Sequence, residues 1–279
     1  MKYRTITTIL TDTEVNAASF AAAQDIARSE EAHLDAICLG LDRTQPGFYY
    51  AGASAMVLQD NLSQARADCE ALETHARKAL DGSAFNWATI AVSAQMVALN
   101  GLVAHRTRFS DLTVLPRPYG DKRSHELEAV VEAALFDGAV PVLIQPDDTA
   151  FPADIKTITI AWNDSSESLR AVRAAMPFLL RAELVNIAII DPPQHGPDRS
   201  DPGGQLSQML SRFGVRPEVS VLSKTMPRVS DVLMRHAGDI GANLIVMGAY
   251  GHSRFRESIL GGATRNMLEQ ATVPVLMTH

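Results

Sequence analysis

The chain has 279 residues, a little under two domains at roughly 150 residues each, and each could bury a core of its own. Lys and Arg number 25 against 32 Asp and Glu, for a net charge of −7, with 20% of residues charged and 46% apolar. That balance excludes a nonspecific nucleic-acid or anionic-membrane binder and a disordered chain. No apolar run reaches the roughly 20 residues needed to cross a bilayer. The start, Met1-Lys2-Tyr3-Arg4-Thr5, enters a strand-like stretch with no signal-segment pattern. Cys38 and Cys69 are too few for a disulfide framework and read as buried thiols of a reducing compartment. The expectation is a cytoplasmic, soluble protein of two domains.

Taken in chain order, short β-rich apolar runs alternate with helical patterns. A first strand around Thr8–Asp12 is followed by a second that ends near Asp42. An insertion with Phe48, Tyr49, Tyr50 and Met56 and a long helix then lead to a third strand around Ile90. The fourth strand is Asp111–Leu115, the next helix carries Leu127, Val130, Val131 and Ala134 at helical spacing, and Val140–Ile144 closes the set. Gln145–Pro152, with two prolines and two acids, reads as a linker. The order then repeats: strands at Ile155–Trp162, Leu184–Ile190, Pro217–Leu222, Leu244–Met247 and Val273–Met277, with helices at Glu167–Leu180, Gln205–Phe213, Ser230–Ala237 and Ala263–Ala271.

The repeat is visible in the residues themselves. Asp111-Leu-Thr-Val-Leu115 is answered by Asn243-Leu-Ile-Val-Met247, 132 positions on, and Ala139-Val-Pro-Val-Leu-Ile144 by Thr272-Val-Pro-Val-Leu-Met277, 133 on. Thr8-Ile-Leu-Thr-Asp12 is matched with Thr159-Ile-Ala-Trp-Asn163, 151 on, so the surplus length of the first copy lies between its second and third strands. Strands apolar throughout, joined by helices, imply a parallel sheet covered on both faces. With right-handed crossovers, each copy becomes a doubly wound, Rossmann-like α/β sheet of five strands. The domains expected are 1–146 and 153–279.

Open α/β sheets bind ligands beyond the carboxyl ends of their strands, where the strand order reverses. After its fourth strand the second copy reads Met247-Gly248-Ala-Tyr-Gly251-His-Ser-Arg-Phe-Arg-Glu-Ser-Ile-Leu-Gly261-Gly262-Ala263-Thr264. Gly248 and Gly251 permit positive φ or close backbone approach, and Gly261 and Gly262 stand at the mouth of a helix, where free N–H groups favour an anion. Two readings fit these glycines: turn and N-cap residues without a ligand, or a phosphate cradle of backbone amides.

Gly-x2-Gly-x9-Gly after a fourth strand, then a helix and Val-Pro-Val-Leu-Met, resembles the universal stress protein family, and the repeat resembles its tandem members. The resemblance implies strand order 3-2-1-4-5 and a pseudo-dimer paired through the last strands, Pro141–Ile144 against Pro274–Met277. A homodimer is carried beside it as a second expectation. It also implies that ATP or a related adenine nucleotide, with or without Mg²⁺, binds in the second copy. Carried over by residue, Met247, Gly248, Gly251, Gly261, Gly262 and Ala263 would hold phosphate and ribose. Ala161, Trp162 and Asn163 would line the first-strand end, and Ile189 or Ile190 the adenine wall. Gly262 stands where the family has Ser or Thr, which Thr264 could replace, and Asn163 where the family has Asp, with Asp164 next to it. The first copy has Asp12, but Leu115-Pro116-Arg117-Pro118-Tyr119 replaces its glycines, so that half is expected to be structural or partner-binding.

The sequence lacks Gly-x4-Gly-Lys-Ser/Thr, Gly-x-Gly-x-x-Gly after a first strand, Gly-x-Ser-x-Gly, His-x3-His and Cys-x2-Cys, which argues against a P-loop, a dinucleotide fold, a serine hydrolase and a metal site. No catalytic residue is assigned; Asp164, Glu257 and His252 are the candidate bases of a slow ATP hydrolase. Arg254 and Arg256 could reach a phosphate, and Asp191–Gly204 reads as a surface loop or a lid beside the cleft. A regulatory nucleotide-binding protein, a nucleotide-independent scaffold and a weak ATPase are the three functions carried forward.

Overall fold

The computed structural model describes residues 1–42, 55–120, 123–192, 201–249 and 262–279, with the backbone alone at 55–58. Two compact units result, Tyr3–Val140 and Met1–Lys2 with Pro141–His279. The first unit contains β1 (Thr5–Leu10), α1 (Ala17–Glu30), β2 (His33–Asp42), α2 (Ala55–Leu80), β3 (Trp87–Gln95), α3 (Leu99–Thr107), β4 (Leu112–Pro116) and α4 (His125–Glu132). Its strands run parallel in the order β3-β2-β1-β4. β4 is buried along its whole length, whereas edge strand β3 has no buried residue, being half-buried over its first four positions and then alternating between exposed and half-buried ones. This difference is the ordinary one between a strand covered on both faces and an edge.

The second unit contains β5 (Val142–Gln145), β6 (Thr157–Ala161), α5 (Ser166–Ala174), α6 (Met176–Leu179), β7 (Leu184–Ile190), α7 (Gly204–Arg212), β8 (Pro217–Leu222), α8 (Val229–Asp239), β9 (Leu244–Gly248), α9 (Gly262–Gln270) and β10 (Val275–Thr278). Five strands run parallel in the order β8-β7-β6-β9-β10. The helical pattern expected over Glu167–Leu180 is broken into α5 and α6, because Pro177 in the first turn of α6 has no N–H to continue the ladder. β5 lies antiparallel to β10, with Leu143 opposite Leu276. The last strands of both halves thus pair as the resemblance implied. The division falls between Val140 and Pro141, so β5 packs with the second unit.

The same device starts the first strand of each half. Asp111, just before β4, accepts the amides of Arg4 and Thr5 at 2.7 and 2.9 Å. Asn243, just before β9, accepts those of Lys156 and Thr157, both at 3.0 Å. Two amides with no ladder partner at the strand start are satisfied by one side-chain oxygen. The halves differ most between the second and third strands, where α2 has 26 residues and α7 has 9. At Gly40 of β2 an added Cβ would run into the Ala65 carbonyl of α2, so glycine is what lets that long helix lie on the strand.

Candidate functional site

In the second unit the strand order reverses between β6 and β9, whose ends lie side by side with Ala161 opposite Met247. β7 flanks them, and the Trp162 amide donates to the Ala188 carbonyl at 2.9 Å. Ala161, Trp162, Asn163, Ile189, Met247 and Gly248 are therefore gathered at neighbouring strand ends. Met247 and Ile189 are buried, at 5% exposure each. An added Cβ at Gly203 would lie 2.9 Å from the Ile189 Cδ1, so that side chain sits under the start of α7. Ile190, the other residue considered for an adenine wall, stays half-exposed at the strand end.

Gly262 opens α9, is exposed, and has no described atom within 4 Å of where a Cβ would stand; Ala263 beside it is half-exposed. Thr264 is buried at 4% exposure, so the hydroxyl expected to stand in for the missing Ser or Thr is not presented at the helix mouth. Gly251, Gly261, His252, Arg254, Arg256 and Glu257 lie outside the described residues, as do Phe48, Tyr49, Tyr50 and positions 193–200 of the Asp191–Gly204 stretch.

Gly248 has a reason of its own to be glycine. A Cβ there would lie 2.6 Å from the Ser168 amide nitrogen and 2.9 Å from the Glu167 carbonyl carbon, both backbone atoms of the first turn of α5. The close approach is made by the protein's own helix. That turn is held further by the Thr278 hydroxyl, which donates to the Glu167 carbonyl at 3.0 Å. Burial pushes the Glu167 carboxyl up, but its backbone amide, the Ser166 and Ser165 hydroxyls and Arg170 together bring it below the usual range.

The strand registers correct the alignment of the two halves by one residue. Ile6 pairs with Leu112 as Ile158 pairs with Leu244, so Arg4-Thr5-Ile6-Thr7 corresponds to Lys156-Thr157-Ile158-Thr159. Thr8 thus matches Ile160 rather than Thr159, and Asp12 matches Asp164 rather than Asn163. The slip arose because Thr-Ile occurs at 5–6, 8–9, 157–158 and 159–160, and a short repeated dipeptide fixes a register poorly. Aligning the basic residue before each strand, Arg4 with Lys156, would have found it.

At these corresponding loops the halves differ. In the first, the Asp12 carboxylate folds back to accept the amides of Glu14 and Val15 at 2.8 and 2.9 Å. Buried Asn16 closes the loop, accepting from the Thr11 and Asp12 amides at 2.8 and 3.0 Å and donating to the Ile9 carbonyl at 3.0 Å. In the second, Asn163 accepts from the Ser165 amide at 3.3 Å and its hydroxyl at 2.8 Å. Ser165 in turn caps α5, its Oγ accepting from the Ser168 amide at 3.1 Å. Asp164 is exposed at φ 58°, and its carboxylate has no partner among the described residues.

The fourth-strand loop of the first half is filled by its own side chains. Pro116 is buried at the position of Gly248, and the Tyr119 hydroxyl donates to Glu128 of α4 at 2.7 Å. Glu126 and Glu128 occupy the first turn of α4, so the helix start is already supplied with negative charge. Among the described residues there is no cluster of His, Cys, Asp and Glu fit for a metal and no helix long and apolar enough to span a membrane.

Fold and register together define an open, parallel α/β domain whose strand order reverses between β6 and β9. Residues 154–279 match the family model described as the universal stress protein family. The match falls on the second half of the chain, which is thus similar to a domain of that family. Over 129 residues it is 26% identical to a universal stress protein of Synechocystis sp. (strain ATCC 27184 / PCC 6803 / Kazusa), covering 45% of this chain and 44% of the relative. The chain therefore spans less than half the length of that curated relative. Among solved structures, a universal stress protein from Archaeoglobus fulgidus DSM 4304 matches with a TM-score of 0.75 and 15% identity, over 98% of this chain and 95% of that one. A functionally unknown protein from Pseudomonas aeruginosa PAO1 matches with a TM-score of 0.58 and 15% identity, over 99% and 92%. At these identities the likeness is one of fold, and it spans both halves.

Proposed function

We propose that the chain is a tandem universal stress protein whose second domain binds ATP or a related adenine nucleotide as a regulatory ligand. The supporting observation is Asp164, an exposed carboxylate with no described partner, at the strand-order reversal of a domain matched to the family. A carboxylate there can accept from ribose hydroxyls, and the open start of α9 offers amides to phosphate. Mg²⁺, if it binds, comes with the phosphates. In the first domain both features are spent internally, on the Asp12 turn and the Tyr119–Glu128 bond, so one nucleotide per chain is the expected stoichiometry.

Equilibrium dialysis against ATP with Mg²⁺ tests this reading, and absence of binding at millimolar nucleotide overturns it. Gly262→Ser sharpens the test. The added Cβ meets none of the described residues within 4 Å, so the fold should be unchanged. A hydroxyl at the helix mouth should tighten binding by about 0.5–1.5 kcal/mol. Tyr119→Val should leave affinity as it is.

A nucleotide-independent scaffold is favoured by one observation, the burial of Thr264 behind a Gly262 that has no hydroxyl. Stoichiometric adenine nucleotide released on denaturing the purified protein would exclude it.

A further inference from the structure

We infer that Asn163 is a positioning residue: by making the turn at the end of β6, it releases the Asp164 carboxylate for the ligand. The inference rests on the nucleotide reading of this strand end. A chain leaving a parallel strand for a helix must satisfy the amides of the connecting turn, and one short polar side chain usually does so by accepting from the residue two positions on. In the first half the residue before the aspartate is Thr11. Asp12 makes the turn there and its carboxylate is consumed by two amides, at 2.8 and 2.9 Å.

In the second half the same task falls one residue earlier. Asn163 Oδ1 accepts both the Ser165 amide and the Ser165 hydroxyl, which orients that hydroxyl to cap α5. The helix begins correspondingly sooner: α5 starts at Ser166, three residues ahead of the position that matches Ala17, where α1 starts. Gly248 is what permits it, since that early turn lies against the end of β9 where any Cβ would collide. Asp164 then needs to cap nothing. An asparagine rather than an aspartate at 163 does this without a second negative charge beside Asp164 and the incoming phosphates.

The decisive variant is Asn163→Thr, which gives the second half the Thr-Asp pair that already folds in the first. Asp164 should then fold back onto the amides of Ser166 and Glu167, weakening ATP binding by about tenfold, the loss of one hydrogen bond to a charged group. Asn163→Asp can accept the same bonds from Ser165 and should stay within about threefold of wild type. Asn163→Thr combined with Asp164→Asn should bind no more weakly than Asp164→Asn alone, because Asn163 acts through Asp164. Equal affinity of Asn163→Thr and wild type, or full additivity in the double variant, overturns the inference while leaving the nucleotide reading standing. Failure of the wild-type chain to bind is the separate failure of that reading. A crystal structure of Asn163→Thr decides independently of any nucleotide: a carboxylate folded onto the two amides supports the inference, and a free one overturns it.

Discussion

Gly248 and Pro116 occupy corresponding ends of β9 and β4, and each is matched to a different start of the helix beside it. Where the strand ends in glycine, the helix backbone comes within 2.6 Å of the vacant Cβ position. Where it ends in proline, the helix starts later and a buried asparagine closes the loop. Gly248→Ala should therefore destabilise the second unit by about 1–3 kcal/mol, as overpacking against rigid backbone does. The measurement is denaturant unfolding without nucleotide; an unchanged midpoint would mean that the helix start yields freely. This residue was legible in the sequence as a glycine that mattered. The reason was not, because it depends on a backbone brought in from another element.

At the scale of elements, sequence patterning located nearly every strand and helix, since apolar periodicity reports directly on which faces are covered. It did not resolve register. One residue of slip exchanged Asn163 for Asp164, and a pattern that alternates on a period of two barely notices such a slip when both strand faces are buried. Polar contacts between elements were also invisible, and one of them ties α8 to β7. His236 donates from Nε2 to the Asn186 Oδ1 at 2.8 Å, and Asn186 donates onward to the Ser220 hydroxyl at 2.9 Å. Burial holds the His236 imidazole below its ordinary value of 6.5, against a smaller opposing pull from Asp239. The unfolded chain therefore takes up a proton that the folded one resists. Stability is complete above about pH 6.5 and declines as pH falls from there toward the depressed folded value. Thermal unfolding across pH 5–8 should show that decline, and His236→Gln should flatten it. A variant with the same pH profile as wild type would remove His236 as the cause.

At the scale of the whole chain, the strands that end each half are the ones the sequence marked most clearly, as Val-Pro-Val-Leu repeated. Their pairing places two fully buried leucines directly opposite each other. Leu143→Ala and Leu276→Ala should each cost about 2–5 kcal/mol, with a combined cost short of the sum because they share one space. Calorimetric or denaturant unfolding of the two single variants and the double checks this; strict additivity would argue that the leucines do not share a cavity.

The β5–β10 ladder reads nearly the same from either end, Val-Leu-Ile against Val-Leu-Met about a centre at Leu143 and Leu276. Two separate copies meeting this way would face dilution, and both would have to keep a working pocket or lose it together. Written into one chain, the match is present at an effective concentration of order millimolar whatever the cellular dose. Mutations can then fall on one copy alone. The first half ends its fourth strand in a buried proline rather than a glycine, and its last strand pairs with β10. On the nucleotide reading proposed above, such a chain should saturate along a simple one-site curve.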